Sequence, residues 1–502
     1  VLHPYPTYLN TGDNTWQLVS ATLVGLMSIP GLAVLYGGLV QKRWAVNTLI
    51  MTFTAFSVVL VAWVLWTYDM GFGTPWHVGP GILNNMVGIP GQVVGHGMEQ
   101  NKANIPLLSG AGLMPQFRFP LSSLVYFQFV FAAITPILFM GSVLSRMNLK
   151  AWIPFVLLWS TFVYSVNAFL IWGGGYWAQK GAVDWSGGYV IHLAAGTSGF
   201  VAAAVIGPRL QRDRTVAAPN NLMMVAIGAG LLWLGWNGFN GGDPYFAGAS
   251  ASTAVINTNL CTAAALLTWV LWDMYAGPQR KPTFLGAVNG MIVGLVAITP
   301  AAGFVDGTGA LLMGVIASSI VWLAWNKLSK VRPFSKVDDA MGVVYTHGIA
   351  GLSGGLLVGF FANPSVIEYI GSGGTQSVSV RGLIYGHPWQ VMLQFMTALT
   401  IIGWDAIVTF ILLKIVGVFV PLRYTDEELQ EGDVAIHDEE VYPDERVLER
   451  IGTRSPALAS AEEGTAVRAA GGGAAATGPD VALPPTGMTA STDERTWEGG
   501  GR

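Results

Sequence analysis

Eleven long apolar stretches, joined by short polar or glycine-rich pieces, set the pattern of this chain. They run near 15–37, 45–68, 121–144, 151–172, 186–207, 219–239, 251–275, 282–300, 308–328, 339–361 and 386–416. Each is close to the ~20 apolar residues an α-helix needs to cross the hydrocarbon core of a bilayer. Irregular backbone cannot face lipid, so the Gly- and Pro-rich joints belong at the two surfaces or inside a protein-lined cavity. The longest joint, 69–118, is expected to form an ordered cap over one face. The pattern predicts an all-α integral membrane protein with eleven transmembrane helices.

Composition points the same way. Of 502 residues, 52% are hydrophobic and 11% charged, where soluble chains carry about 25% charged residues. A soluble protein of this length would need charged surfaces for several domains, and those charges are missing. Disorder is excluded for most of the chain, and nothing is basic enough to suggest nucleic acid. The lone cysteine, Cys261, lies in an apolar run, which leaves no disulfide framework and no cysteine metal site. No cofactor or metal is expected. The chain begins Val1-Leu2-His3 with no leader pattern, so no signal peptide is expected.

The distribution of Lys and Arg orients the molecule. Fifteen of them, from Lys42 and Arg43 to Lys414 and Arg423, follow the odd-numbered spans. Only Lys102, Arg118, Lys180 and Arg381 fall on the other side. This places the N-terminus outside the cell membrane and the C-terminus in the cytoplasm. From 424 the chemistry changes, with six Arg and seventeen Asp or Glu in 424–502. The segment 424–451 is acidic with scattered apolar anchors, either a solvated charge run or a docking element. The segment 452–502 is low in complexity and expected to be disordered. The domain reading is therefore a membrane domain over 1–423, an acidic segment over 424–451 and a tail over 452–502.

Polar residues inside spans are costly and default to functional hypotheses. His192 and His347 lie inside the fifth and tenth spans, in surroundings that match. His192-Leu193-Ala194-Ala195-Gly196-Thr197-Ser198-Gly199 and His347-Gly348-Ile349-Ala350-Gly351-Leu352-Ser353-Gly354 share H-x-x-A-G-x-S-G. Spans an odd number apart run in opposite directions, so the match marks an inverted repeat, spans 1–5 against 6–10, with the eleventh outside it. A single intramembrane histidine is as readily a packing residue. Two symmetry-related copies favour a shared site, where one imidazole nitrogen donates and the other accepts. The small residues after each histidine would let the two helices approach closely.

Aromatic residues cluster at the outer ends of neighbouring spans: Phe127 and Phe131 in the third, Trp172 closing the fourth, Trp236 and Phe239 closing the sixth. Such rings often form an interfacial belt. Here the adjacent Gly173-Gly174-Gly175 and Gly241-Gly242 favour a vestibule, where a ring face holds a small cation by roughly 0.5–2 kcal/mol. Asp184 is read as the N-cap of the fifth span, with a charge at the vestibule as its alternative.

At these residues the chain resembles the ammonium transporter (Amt/Mep/Rh) family. The carrying motifs are Asp13-Asn14-Thr15-Trp16, Ile29-Pro30-Gly31-Leu32, Tyr36-Gly37-Gly38-Leu39, Phe127 with Phe131-Ala132-Ala133-Ile134-Thr135, and Trp172-Gly173-Gly174-Gly175. Asp184 through His192, Trp236-Asn237-Gly238-Phe239-Asn240, and Asp338-Asp339 with His347-Gly348 complete the set over about 1–445. The resemblance implies a homotrimer with one pore per subunit. It implies an outer cation-recruiting site at Trp172 and Phe131 and a gate of Phe131 over Phe239. Phe127 and Trp236 would line that region, with His192 and His347 as a twin-histidine pair beneath it. It also implies that the acidic tail can receive a PII-type nitrogen-signalling protein.

Two positions depart from the family pattern. Asp243 stands where a small hydroxyl residue is usual, and reads equally as a cation-capturing carboxylate or as a turn residue before Pro244. Gly342 stands where an Asp is common, which leaves an acidic relay toward His347 without its usual residue. The function expected is ammonium transport with membrane lipid as surroundings: capture at Trp172, Phe131 and Asp243, deprotonation near the gate, and passage of ammonia by the histidines, with net charge transfer. An ammonium sensor or co-receptor, a neutral ammonia channel of the Rh type, and a membrane cytochrome with histidine haem ligands are the alternatives. No nucleophile–base pair or phosphate loop accompanies the histidines, so an enzyme is not expected. Asp405 in the last span has no role in this reading.

Overall fold

The computed structural model describes residues 4–95, 97–110, 117–215, 218–366, 368–370 and 376–442. Ten helices within it are long and apolar enough to cross a membrane. They are Thr11–Leu39, Lys42–Phe72, Leu121–Val143, Leu149–Gln179, Gly188–Ile206, Leu222–Gly241, Ala249–Tyr275, Gly307–Lys330, Val344–Phe361 and Trp389–Phe419. An eleventh apolar helix, Phe284–Ile298, lies eighth in order and is only 15 residues long. It can be short because the chain beyond it, Thr299 to Val305, is buried as a turn inside the protein. Asn257 Nδ2 donates to two carbonyls there, Ala302 O at 2.9 Å and Val305 O at 2.7 Å. Non-helical backbone at membrane depth is tolerated only with such partners.

The third helix, Leu121–Val143, is buried over nearly its whole length and forms the centre of the bundle. The inverted repeat meets beside it through paired glycines. A Cβ at Gly196 would overlap the backbone of Gly348, and a Cβ at the equivalent Gly351 would lie 3.0 Å from Leu193 N and 3.1 Å from His192 Cβ. Only glycine permits this crossing of the fifth and tenth helices.

The tenth helix begins at Val344, five residues later than the apolar pattern predicts. Gly342 has φ +73°, and Asp339 Oδ2 accepts from Val344 N at 2.8 Å. The residues between belong to the cap and not to the helix. The joint over 69–118 packs on the bundle through backbone bonds such as Gly88 N to Met70 O at 2.7 Å and Val93 N to Val64 O at 2.9 Å. One short antiparallel pair, Glu368–Ile370 with Gln376–Val378, is the strand content of the described residues.

The chain through Tyr442 is one compact unit. Two short helices, Asp426–Glu431 and Asp433–His437, carry the first part of the acidic segment. Asp433 is fully buried and accepts from Val46 N at 2.8 Å and Asn47 N at 2.9 Å, capping the second membrane helix. Lys42 pairs with Glu440 at 2.6 Å, and the Tyr424 hydroxyl donates to Asn47 Oδ1 at 3.1 Å. Thr425 and Glu428 form a capping box at the start. Residues 424–442 are thus part of the body's packing. The expectation of a disordered tail falls on residues outside those described.

Candidate functional site: an aromatic column over two histidines

Both histidines sit on widened, π-helical first turns, Gly188–Leu193 and Val344–Ile349. The two turns are built alike. Asp184 lies eight residues before His192 and Asp339 eight before His347. Three residues after each Asp comes a glycine with positive φ, Gly187 at +109° and Gly342 at +73°. The Asp184 carboxylate accepts from Gly187 N (3.1 Å), Gly188 N (2.6 Å), Tyr189 N (2.9 Å) and Val190 N (3.0 Å). Burial pushes this carboxyl up to about 6, while the four N–H groups hold it down. At Asp339 burial also pushes the carboxyl up, opposed by Val344 N, Ser142 and Val343 N.

These contacts bear on two readings. Asp184 turns its carboxylate onto its own helix and is buried; what it offers the vestibule is its carbonyl, which accepts from Trp172 Nε1 at 2.7 Å. The carboxylate of the tenth helix is Asp339, and Gly342 is the positive-φ residue that lets the chain turn between cap and helix. The signal for this was present in the sequence: the shared motif extends upstream as D-x-x-G-x-x-x-x-H in both copies.

From the end away from the basic loops, five rings form a continuous column. Trp172 meets Phe131 edge-on, with centroids 6.1 Å apart at 90°. Phe131 lies over Phe239 at 4.4 Å and 39°, and Phe127 packs on Phe131 at 4.9 Å. Phe239 and Trp236 flank the His192 ring at 5.9 Å and 5.3 Å. His192 meets His347 with Nδ1 atoms 3.2 Å apart. Phe131 and Phe239 are fully buried, as is His192, so water has no open way through the rings.

Below His347 the molecule opens. A cavity of about 770 Å³ is lined by His347, Trp236, Tyr36, Leu138, Thr346 and Asp339, and reaches the basic end at Arg209 and Lys281. His192 is not part of its wall. Tyr36, quoted in the sequence only as part of a motif, lies in this wall, and its hydroxyl donates to Leu138 O at 3.0 Å. Sequence reasoning missed Gln128 and Tyr245, joined at 2.9 Å, with the Tyr245 ring 6.0 Å from Phe127.

Asp243 lies in the buried turn after the sixth helix, two residues before Tyr245. Gly242 beside it packs so tightly on Phe127 that a Cβ would overlap the ring. The described residues hold no group of His, Cys, Asp or Glu arranged for a metal ion.

Two hydrogen-bonded imidazoles have a definite chemistry. Only one Nδ1 can carry the shared proton, so one Nε2 is a donor and the other an acceptor. The pair therefore suits a small neutral molecule that both gives and takes hydrogen bonds, held below rings that exclude hydrated ions.

Comparison with known proteins accords with this geometry. The model of the Ammonium Transporter Family matches residues 15–442. The chain belongs to the ammonium transporter family. It is 46% identical over 449 residues to "Ammonium transporter 3 member 2" of Oryza sativa subsp. japonica, covering 87% of this chain and 90% of that one. It is also 46% identical over 441 residues to "Ammonium transporter 2" of Arabidopsis thaliana, covering 87% and 89%. The crystal structure of Saccharomyces cerevisiae Mep2 superposes with a TM-score of 0.71 at 28% identity, over 84% of this chain and 89% of that one. A multi-pass membrane transporter of this family is thus the setting for the histidine pair.

Proposed function

We propose that this protein carries ammonium across the cell membrane by taking it apart: the cation is captured at the aromatic end, loses a proton there, and passes the histidines as ammonia. The observation that carries this reading is the buried His192–His347 contact directly beneath the closed Phe131–Phe239 stack, with a cavity that His347 lines and His192 does not. Moving a bare cation into such a pore costs of order 20 kcal/mol by Born solvation. Two phenyl rings return only about 0.5–2 kcal/mol each. Potassium and sodium have no way round this cost, whereas ammonium can leave a proton behind. Trp172 and Phe131 form the capture site, and Asp243 in the adjoining turn adds negative field. Phe127 and Trp236 hold the gate rings and the His192 ring in place.

The aromatic end faces outward in this reading, since the fifteen basic residues lie at the other. The exposed apolar faces of several helices, among them Leu234, Leu267 and Leu312, meet lipid or sister subunits of a homotrimer. The docked acidic segment is the surface a PII-type signalling protein would address. Charge transfer accompanies each ammonia when the proton follows by its own path.

The test is current on an electrode-supported membrane reconstituted with the protein, under pulses of ammonium, methylammonium and potassium. The expected result is a saturable ammonium current, a smaller one with methylammonium and none with potassium. His192→Ala with His347→Ala removes both rate and selectivity. Unchanged transport in that double variant overturns the reading.

A further inference from the structure

The eleventh helix, Trp389–Phe419, turns an apolar face outward through Met392, Leu399, Ile407 and Phe410. Its buried face carries Gln390, Gln394, Thr397, Asp405 and Thr409, a polar stripe along the length of a membrane helix. The two glutamines bond to backbone: Gln390 to Gly181 O at 3.1 Å, and Gln394 to Val183 O at 2.7 Å. Asp405 is different. It is fully buried, and both its oxygens share one donor, Asn167 Nδ2, at 2.9 Å and 3.1 Å. A carboxylate held in the membrane plane by one amide is an expensive device for joining two helices.

Further polar groups extend on either side. Asn167 Oδ1 and the Tyr164 hydroxyl, one turn apart on the fourth helix, are buried and unpartnered. The charged groups acting on Tyr164 are Asp243 and Asp184, at the aromatic end. One turn beyond Asp405, Thr409 Oγ1 donates to Ser198 Oγ at 3.1 Å, where Trp159 Nε1 also donates at 3.0 Å. The next residue, Gly199, packs on Ser142, whose buried hydroxyl has no hydrogen-bond partner, and neither has Asp339 Oδ1. Asp339 borders the cavity at the basic end. Buried unpartnered oxygens of this kind are the usual partners of internal water.

We propose that this polar stripe is a proton path running beside the ammonia pore, with Asp405 as the group that takes up and releases the proton. The proposal rests on the ammonium reading above and supplies the route it leaves open. The proton lost by ammonium at the aromatic gate reaches Asp405 from the Tyr164–Asn167 side. An O–H bond forms on one carboxylate oxygen. It breaks again as the proton leaves toward Thr409 and Ser198, and the carboxylate is restored. Ammonia arriving in the cavity takes up one proton, so that one ammonium and one charge cross in each cycle.

Ammonium uptake and ammonium-driven current, measured on the same proteoliposomes, test this. Asp405→Asn keeps size and a hydrogen bond to Asn167 but cannot carry a proton. Current per ammonia taken up is expected to fall about a hundredfold, the low end for loss of a positioned proton-transfer group, while uptake of neutral ammonia down its own gradient persists. Asp405→Glu recovers part of the current. Thr409→Val, which leaves the Asn167–Asp405 contact in place, gives the same direction of change and supplies the reading if Asp405→Asn does not assemble. Wild-type current in Asp405→Asn and in Thr409→Val overturns the path alone and leaves the ammonium reading standing. No uptake of ammonia or ammonium by the unaltered protein overturns both.

Discussion

The two copies of the histidine motif are built on one plan yet sit in different surroundings. Each has an aspartate eight residues upstream, a positive-φ glycine between, and a widened first turn that delivers the imidazole to the crossing of the fifth and tenth helices. Their surroundings diverge. His192 is walled in by Trp236 and Phe239, while His347 borders a cavity of about 770 Å³. Asp184 gathers four backbone N–H groups and, through its carbonyl, Trp172. Asp339 receives Val344 N and sits beside Asp338, which is paired with Arg209 at 2.7 Å. A repeated motif thus sets local geometry twice, and its neighbours decide which copy is sealed and which is open.

The largest expected asymmetry lies in the caps. Asp184→Ala orphans four buried donors, although the backbone carbonyl that holds Trp172 remains, and should cost about 3–5 kcal/mol. Asp339→Ala should cost about 1–2 kcal/mol, the ordinary worth of a cap. Thermal unfolding of the two variants in detergent checks the order, and equal losses would break the comparison. Next come the glycines. A Cβ at Gly342 would overlap the Trp325 ring, whereas at Gly187 it meets the end of the flexible Ile191 side chain, at 2.6 Å. Gly342→Ala should therefore lose about 1 kcal/mol more than Gly187→Ala, beyond the ~1–2 kcal/mol both suffer from positive φ.

The smallest effect concerns the docked segment. Burial pushes the Asp433 carboxyl up to about 7, against the pull of the Asn47 and Val46 N–H groups. Free aspartate titrates near 4, so between these values the docked state binds more protons than the undocked one. The contribution of Asp433 to docking is full below about pH 4 and is lost as the pH rises through about 7. Proteolysis of the 424–442 segment should therefore quicken from pH 6 toward pH 8 by about two- to fivefold. Asp433→Asn should flatten that dependence.

Much of this could be seen without coordinates. The eleven spans follow from apolar length alone, and the inverted repeat from H-x-x-A-G-x-S-G written twice. The aromatic residues of the column were recognisable as a set. What escaped was whatever depends on distance across the fold. Asp339 stood only within a motif, without its role as the cap of the tenth helix, because its bond to Val344 N depends on the turn at Gly342. The acidic segment looked solvated because its partners, Val46 and Asn47, lie 387 and 386 residues away. Asp405 had no reading, since nothing near it in the chain points to Asn167, 238 residues distant.

The amino-acid sequence by itself determined the class of molecule and the identity of the two imidazoles. Those follow from local quantities: the solvation cost of each side chain and the period of a helix. Tertiary structure decided that one imidazole is sealed and the other open, and which carboxylate caps which helix. It also decided that the polar stripe of the eleventh helix is buried against Asn167 and Ser198. A hydrogen bond is defined by a few ångströms between atoms, and only the packing of helices far apart in the chain brings those atoms together.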